Sequence, residues 1–157
     1  MIKTFNLIGA IDFNGNIGYQ GKIPWYIKEE LQYFKQVTGN NPIIMGRKTW
    51  DSLPKKPLPN RENLVISCKN KDYFSCLDTC LDYCWFKNET PFVIGGGSIY
   101  EQAITHPNLN LIYLTVVHGC YKGDVKFPEI PDCFKISSSK THENFSTFIL
   151  KRENNEN

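Results

Sequence analysis

Short, nearly continuous apolar runs recur along the chain, at 6–11, 43–45, 63–67, 92–94 and 111–117. A strand with one wet face alternates apolar and polar residues, whereas a strand covered on both faces does not. These runs therefore predict central strands of a sheet with helices on both faces. The stretches between them have helical spacing or glycine-rich turns, and a strand that returns parallel to its predecessor needs such a crossover. Near the C-terminus, 134–138 and 145–151 predict a closing antiparallel pair. The expected fold is α/β, three-layered, with a mostly parallel central sheet and an antiparallel C-terminal edge. A chain of 157 residues with no internal repeat and no long linker is expected to form one domain.

The first crossover carries the most informative side chain. With Ile27 at zero on a wheel of about 100° per residue, Leu31 falls near 40° and Phe34 near 340°. Glu30 falls near 300°, on the apolar stripe, while Glu29 near 200° faces away. A carboxylate on a buried face must find partners or take up a proton at higher pH than usual. Glu30 is thus a candidate proton donor or polar anchor on a helix expected over 27–37. Pro24-Trp25 precedes that helix, and the Trp25 indole can wall a pocket and hold a water through its N–H.

Glycines mark the places where strands give way to helices. Gly46-Arg47-Lys48-Thr49 follows the second run, and Gly95-Gly96-Gly97-Ser98 follows the fourth. Glycine at a strand end, then a helix start with cations and a hydroxyl, suits phosphate groups. The second turn does not have the third glycine of the ordinary dinucleotide fingerprint. Residues 12–22, with Gly15, Gly18 and Gly21, are expected to form a long mobile loop rather than a packed element. Ser75 and Asp78 have the spacing of an N-cap and its third-position acid, predicting a helix from near residue 75.

Net charge is +2 with dispersed Lys and Arg, which gives no basic face for nucleic acid and no polybasic segment for a membrane surface. No signal peptide and no span is indicated, so a cytoplasmic setting is expected. Cys76, Cys80 and Cys84 stack on one helix face, yet no fourth ligand has the right spacing among the histidines. The six cysteines are expected to be reduced, and no metal site is predicted.

Together these segments resemble the dihydrofolate reductase family, from about Ile8 to Lys151. The resemblance rests on Gly15-Asn16-Ile17-Gly18, Ile23-Pro24-Trp25, Glu30 with Phe34, Ile44-Met45-Gly46-Arg47-Lys48-Thr49-Trp50 and Pro57-Leu58-Pro59-Asn60-Arg61. It continues through Val93-Ile94-Gly95-Gly96-Gly97-Ser98-Ile99-Tyr100, Tyr113-Leu114-Thr115, and Gly123-Asp124 with Phe127-Pro128. It implies one domain over 1–151 with an adenosine-binding subdomain at about 41–98 and a polar, disordered tail at 152–157. It also implies NADPH-dependent reduction of 7,8-dihydrofolate to tetrahydrofolate for one-carbon metabolism, sensitivity to antifolate inhibitors, and a monomer.

The resemblance assigns roles residue by residue. Glu30 would bind the pterin's 2-amino group and N3 and promote protonation of N5 through water held by Trp25, with Thr115 hydrogen-bonded to Glu30. Ile8 and Ile94 would line the pterin pocket. Leu31, Phe34, Leu53 and Leu58 would grip the aminobenzoyl ring, and Arg61 would clamp the α-carboxylate of the glutamate tail. For the cofactor, Ala10 and Ile17 would meet the nicotinamide carboxamide, with Gly18 beside them. Gly96 and Gly97 would form the pyrophosphate turn, following a cis peptide between Gly95 and Gly96 and continuing into Ser98, Ile99 and Tyr100. Gly46, Lys48 and Thr49 would contact phosphates, and Arg47 would take the 2′-phosphate beside Ser67, Cys68 and Lys69. Cys68 and Ser98 depart from the cations or hydroxyl that family members often carry there, which implies a weaker preference for NADPH unless neighbouring Lys69 compensates. A related reductase acting on ribosylamino-pyrimidines shares the fold but not the Pro-Trp and buried-acid combination. A non-catalytic binding module would not need both Glu30 and Arg61.

Overall fold

The computed structural model describes residues 2–153. Its main sheet runs β4-β3-β5-β1-β6-β9-β8. The strands are β1 (Phe5–Ile11), β3 (Ile43–Gly46), β4 (Asn63–Ile66), β5 (Phe92–Gly95), β6 (Leu109–Val117), β8 (Phe134–Thr141) and β9 (Phe145–Arg152). β4, β3, β5, β1 and β6 are mutually parallel, and β9 and β8 close the edge antiparallel. The nearly continuous apolar runs are the parallel strands, and the C-terminal pair is the antiparallel edge.

Each apolar run serves two cores because successive side chains point to opposite faces. Leu7, Ile44, Leu64, Ile66 and Val93 pack on one face with Cys80, Leu81 and Trp85 of α3 (Leu77–Phe86) and Ile99, Tyr100 and Ala103 of α4 (Gly97–Ile104). Ile8, Ile43, Met45, Val65 and Phe92 pack on the other with Phe34 and Val37 of α1 (Lys28–Thr38) and Trp50 of α2 (Arg47–Ser52). The helices after β1 and β3 thus cover one face, and those after β4 and β5 cover the other. β5 and β1 are neighbours whose following helices lie on opposite faces, so a crevice opens beyond their C-terminal ends.

Three expectations are corrected. Residues 12–22 are not an unpacked loop: β2 (Asn16–Gly18) pairs antiparallel with β7 (Val125–Lys126), and Tyr19 pairs with Lys22. Asp12 is the cause, a carboxylate only 1% exposed. Its oxygens accept from the backbone N–H groups of Asn14, Asn16 and Tyr121 and from the Asn16 amide, at 2.8–3.0 Å. Burial alone would raise its pKa, but these donors, led by the Asn16 side chain, hold it below the ordinary value.

The second correction concerns the cap of α3, which begins near the expected place but has Cys76, not Ser75, at its N-cap. Phe74 bridges to Ile66 and keeps the chain extended, and the Thr79 hydroxyl donates to the Cys76 carbonyl at 2.9 Å. The third concerns Arg152, which belongs to β9 and not to a tail. Its guanidinium donates to the carbonyls of His106 and Leu109 and lies 4.7 Å from the centre of the Phe134 ring. Glu153 of the expected tail follows it, its backbone N–H donating to the Cys133 carbonyl, and 154–157 lie outside the described residues. Among the described residues all six cysteines are free, no helix is long and apolar enough to cross a membrane, and no cluster of potential ligands could hold a metal ion.

Candidate functional site

The crevice begins where β1 and β5 part. Their pairing covers Asn6 and Leu7 only, after which the carbonyls of Ile8 and Ile94 lose their neighbours. The Tyr100 hydroxyl from α4 fills the gap, 2.9 Å from the first carbonyl and 2.7 Å from the second. Tyr100 is therefore a brace at the root of the crevice, and desolvation raises its pKa. Ile8 and Ile94, expected at the pterin, and Phe34, Leu53 and Leu58, expected at the aminobenzoyl ring, meet in one apolar cluster on the α1–α2 face. Leu31 stands outside it, 39% exposed on α1.

Glu30 is half-buried on α1, one turn before Phe34 of this cluster. Desolvation raises its pKa to about 7. Trp25 is 9% exposed, with its ring 5.5 Å from that of Tyr121. Thr115 pairs with Ala10 across β6 and β1 and, two residues beyond Tyr113, shares the crevice face. The expected hydrogen bond from Thr115 to Glu30 is not formed directly. The acid thus has burial pushing its pKa up and no hydroxyl donor pulling it down.

Arg61 is half-buried, and among the described residues no carboxylate pairs with it. Its Nε donates to the Pro59 carbonyl at 3.0 Å and its Nη1 donates to the Thr38 hydroxyl, while desolvation lowers its pKa. Thr38, fully buried at the end of α1, donates its own hydroxyl hydrogen bond to the Phe34 carbonyl at 2.8 Å. A cation kept from water without a counter-ion is poised for an anion. Thr38 escaped the sequence reading because a threonine at a helix end has no distinctive spacing. Thr38→Val is expected to cost about 1–2 kcal/mol in denaturant unfolding, since Arg61 loses its acceptor. An unchanged midpoint and slope would remove this role.

The two strand-to-helix turns form a second region. The Gly95-Gly96 peptide is cis, and Gly95 has φ +147°, which L side chains rarely adopt. A Cβ at Gly96 would lie 3.0 Å from the Thr49 hydroxyl, and one at Gly97 would lie 2.8 Å from Val125. The turn is therefore shaped by close neighbours, with Ile17 of β2 also facing Gly97. α2 and α4 open on Gly46 and Gly96 without side-chain caps, so side chains leave their first-turn N–H groups free. Arg47, Lys48 and Lys69 add charge and are exposed, as are Cys68 and Ser98, while Ser67 is half-buried and Ile99 is buried in the core. This donor set fits a polyanion such as the phosphates of a dinucleotide.

The family model of dihydrofolate reductase matches residues 4–151. A dihydrofolate reductase of Buchnera aphidicola is 42% identical over 134 residues, covering 80% of each chain. One from Bacillus subtilis is 37% identical over 142 residues, covering 86% of this chain and 82% of its own. A bifunctional dihydrofolate reductase-thymidylate synthase of Paramecium tetraurelia is 38% identical over 128 residues, which are 78% of this chain. The chain spans 28% of that longer relative.

Proposed function

The chain belongs to the dihydrofolate reductase family, and from that membership we propose that it reduces 7,8-dihydrofolate to tetrahydrofolate with NADPH. The observation that carries this reading is Glu30, a half-buried acid whose pKa burial raises to about 7, one turn before Phe34 of the apolar cluster. An acid with a pKa near the working pH suits proton delivery in a reaction that adds a hydride and a proton.

When bound, NADPH supplies the hydride that reaches C6 of the pterin. Glu30 anchors the pterin's 2-amino group and N3, and its proton reaches N5 through a water positioned by the Trp25 indole. Thr115, on the same face of the crevice, completes the pocket's rear wall. Ile8 and Ile94 flank the pterin, while Leu31, Phe34, Leu53 and Leu58 hold the aminobenzoyl ring. The exposure of Leu31 suits a side chain covered only by ligand. Arg61 clamps the α-carboxylate. Antifolates that mimic the pterin would enter the same crevice.

Ala10, Ile17 and Gly18 would hold the nicotinamide end. Gly96, Gly97, Ser98, Ile99 and Tyr100 would form or support the pyrophosphate turn. Gly46, Lys48 and Thr49 would contact phosphate, and Arg47 with Ser67, Cys68 and Lys69 would receive the 2′-phosphate. The adenosine-binding part would then be about residues 41–98. The protein would work as a cytoplasmic monomer, with no nucleic-acid or membrane partner.

The direct test follows the near-ultraviolet absorbance of the reduced nicotinamide. Oxidation of NADPH is expected only when dihydrofolate is added. A protein that binds NADPH and never turns over dihydrofolate would overturn the substrate. Arg47→Ala is expected to raise the Michaelis constant for NADPH on the order of tenfold and to leave that for NADH nearly unchanged. Equal changes for both would remove Arg47 from the 2′-phosphate site.

A further inference from the structure

Arg47 has only part of its guanidinium to offer a ligand. Its Nε lies 3.1 and 3.2 Å from the two carboxylate oxygens of Asp51, one helical turn onward in α2. Its plane sits 5.1 Å from the centre of the Tyr73 ring. A carboxylate on one edge and an aromatic ring on one face fix the group, leaving the outer edge of its terminal nitrogens.

Tyr73 is also a wall of a surface hollow of roughly 510 Å³, lined in addition by Ser67, Cys68, Lys69 and Lys71. Lys69 and Lys71 line this hollow, and Arg47 adjoins it through Tyr73. Among the described residues neither lysine is held in an ion pair, whereas Arg47 is neutralised by Asp51. Cys68 and Ser98 contribute no charge.

We propose that Asp51 is a specificity-determining residue, which restrains the preference of this site for a nucleotide carrying a 2′-phosphate over one with a free 2′-hydroxyl. The inference rests on the role given to Arg47 above. A carboxylate and a phosphate bound to one guanidinium are two anions sharing one cation, so the first repels the second. A neutral 2′-hydroxyl feels almost none of this repulsion. Asp51 thus acts on discrimination between nucleotides and not on nucleotide binding as a whole. Both side chains are largely in water, at 42% and 55% exposure, so the effect is screened and salt-dependent. Removing the charge is expected to strengthen binding of a 2′-phosphate about two- to fivefold at low ionic strength, with the gain fading in salt.

The test uses the full chain and needs no turnover. Adenosine 2′,5′-bisphosphate and adenosine 5′-monophosphate are titrated by calorimetry into the wild type, Asp51→Asn and Arg47→Ala. Asp51 is exposed at a helix surface, and unchanged thermal melts would show that the variants fold. Support is tighter binding of the bisphosphate by Asp51→Asn, unchanged binding of the monophosphate, and convergence with the wild type at high salt. If Arg47→Ala weakens the bisphosphate while Asp51→Asn leaves it unchanged or weakens it, Asp51 merely holds Arg47 and the proposal fails, with Arg47's own role intact. If neither substitution changes the bisphosphate, both the proposal and the 2′-phosphate site are overturned.

Discussion

Glu30→Gln is expected to lower turnover with dihydrofolate by roughly two to three orders of magnitude near neutral pH, the range lost when a positioned general acid is removed. Glutamine keeps the shape and can still hydrogen-bond a pterin, but it cannot deliver a proton. Binding of NADPH should be unaffected, because the groups proposed to hold the cofactor belong to the glycine turns and not to α1. In the wild type, activity should fall as pH rises through about 7, where Glu30 loses its proton. The variant's profile should lose that limb. A wild-type profile that is flat from pH 6 to 8, or a variant with near-normal turnover, would remove Glu30 as the proton source.

The same substitution makes a prediction about stability with the opposite sign. The folded-state pKa of Glu30, about 7, lies above its ordinary value of 4.5. Between these values the folded protein binds more protons than the unfolded chain, so stability is full below about 4.5 and is lost as pH rises towards 7. The loss amounts to at most about 3 kcal/mol. Glutamine is never charged and avoids it. Glu30→Gln should therefore be more stable than the wild type at pH 8 and equal to it at pH 4, measured by denaturant unfolding. On the role proposed for Glu30, the site gives up stability to keep an acid where protonation is needed.

Arg61→Met is expected to raise the Michaelis constant for dihydrofolate on the order of 10²-fold while changing turnover far less. A bidentate, charge-assisted pair in a half-desolvated site is worth several kcal/mol, and this pair would be made equally in ground and transition states. Arg61 has no carboxylate partner of its own among the described residues. A ligand's carboxylate would therefore supply the counter-ion that the fold withholds. A dihydropterin without the glutamate tail should be used equally well by the wild type and the variant. If Arg61→Met also weakens the truncated substrate, the residue supports the pocket generally and does not read the tail.

The strand-end glycines and the acid were legible because their signals are local. Glu30 is placed by spacing within one helix, and Gly46 and Gly95-Gly96-Gly97 by their position directly after apolar runs. The neighbours that decide what these groups can do were not. Whether Arg47 is free depends on Tyr73, which arrives from another loop, as well as on Asp51. Spacing on a helix would have suggested the Asp51 contact, since acid and base lie four apart. Nothing in the sequence pointed to Tyr73.

By itself the sequence determined the layered sheet, since nearly continuous apolar runs can be strands only where helices cover both faces. It also determined the phase that turns Glu30 inward. Tertiary structure alone decided that Asp12 would bind the 12–22 segment to Tyr121, 109 residues away, and that Thr38 would hold Arg61 across 23 residues. The physical reason is that periodicity is a property of neighbours along the chain, whereas a buried polar group is settled by whichever donors and acceptors the fold brings to it.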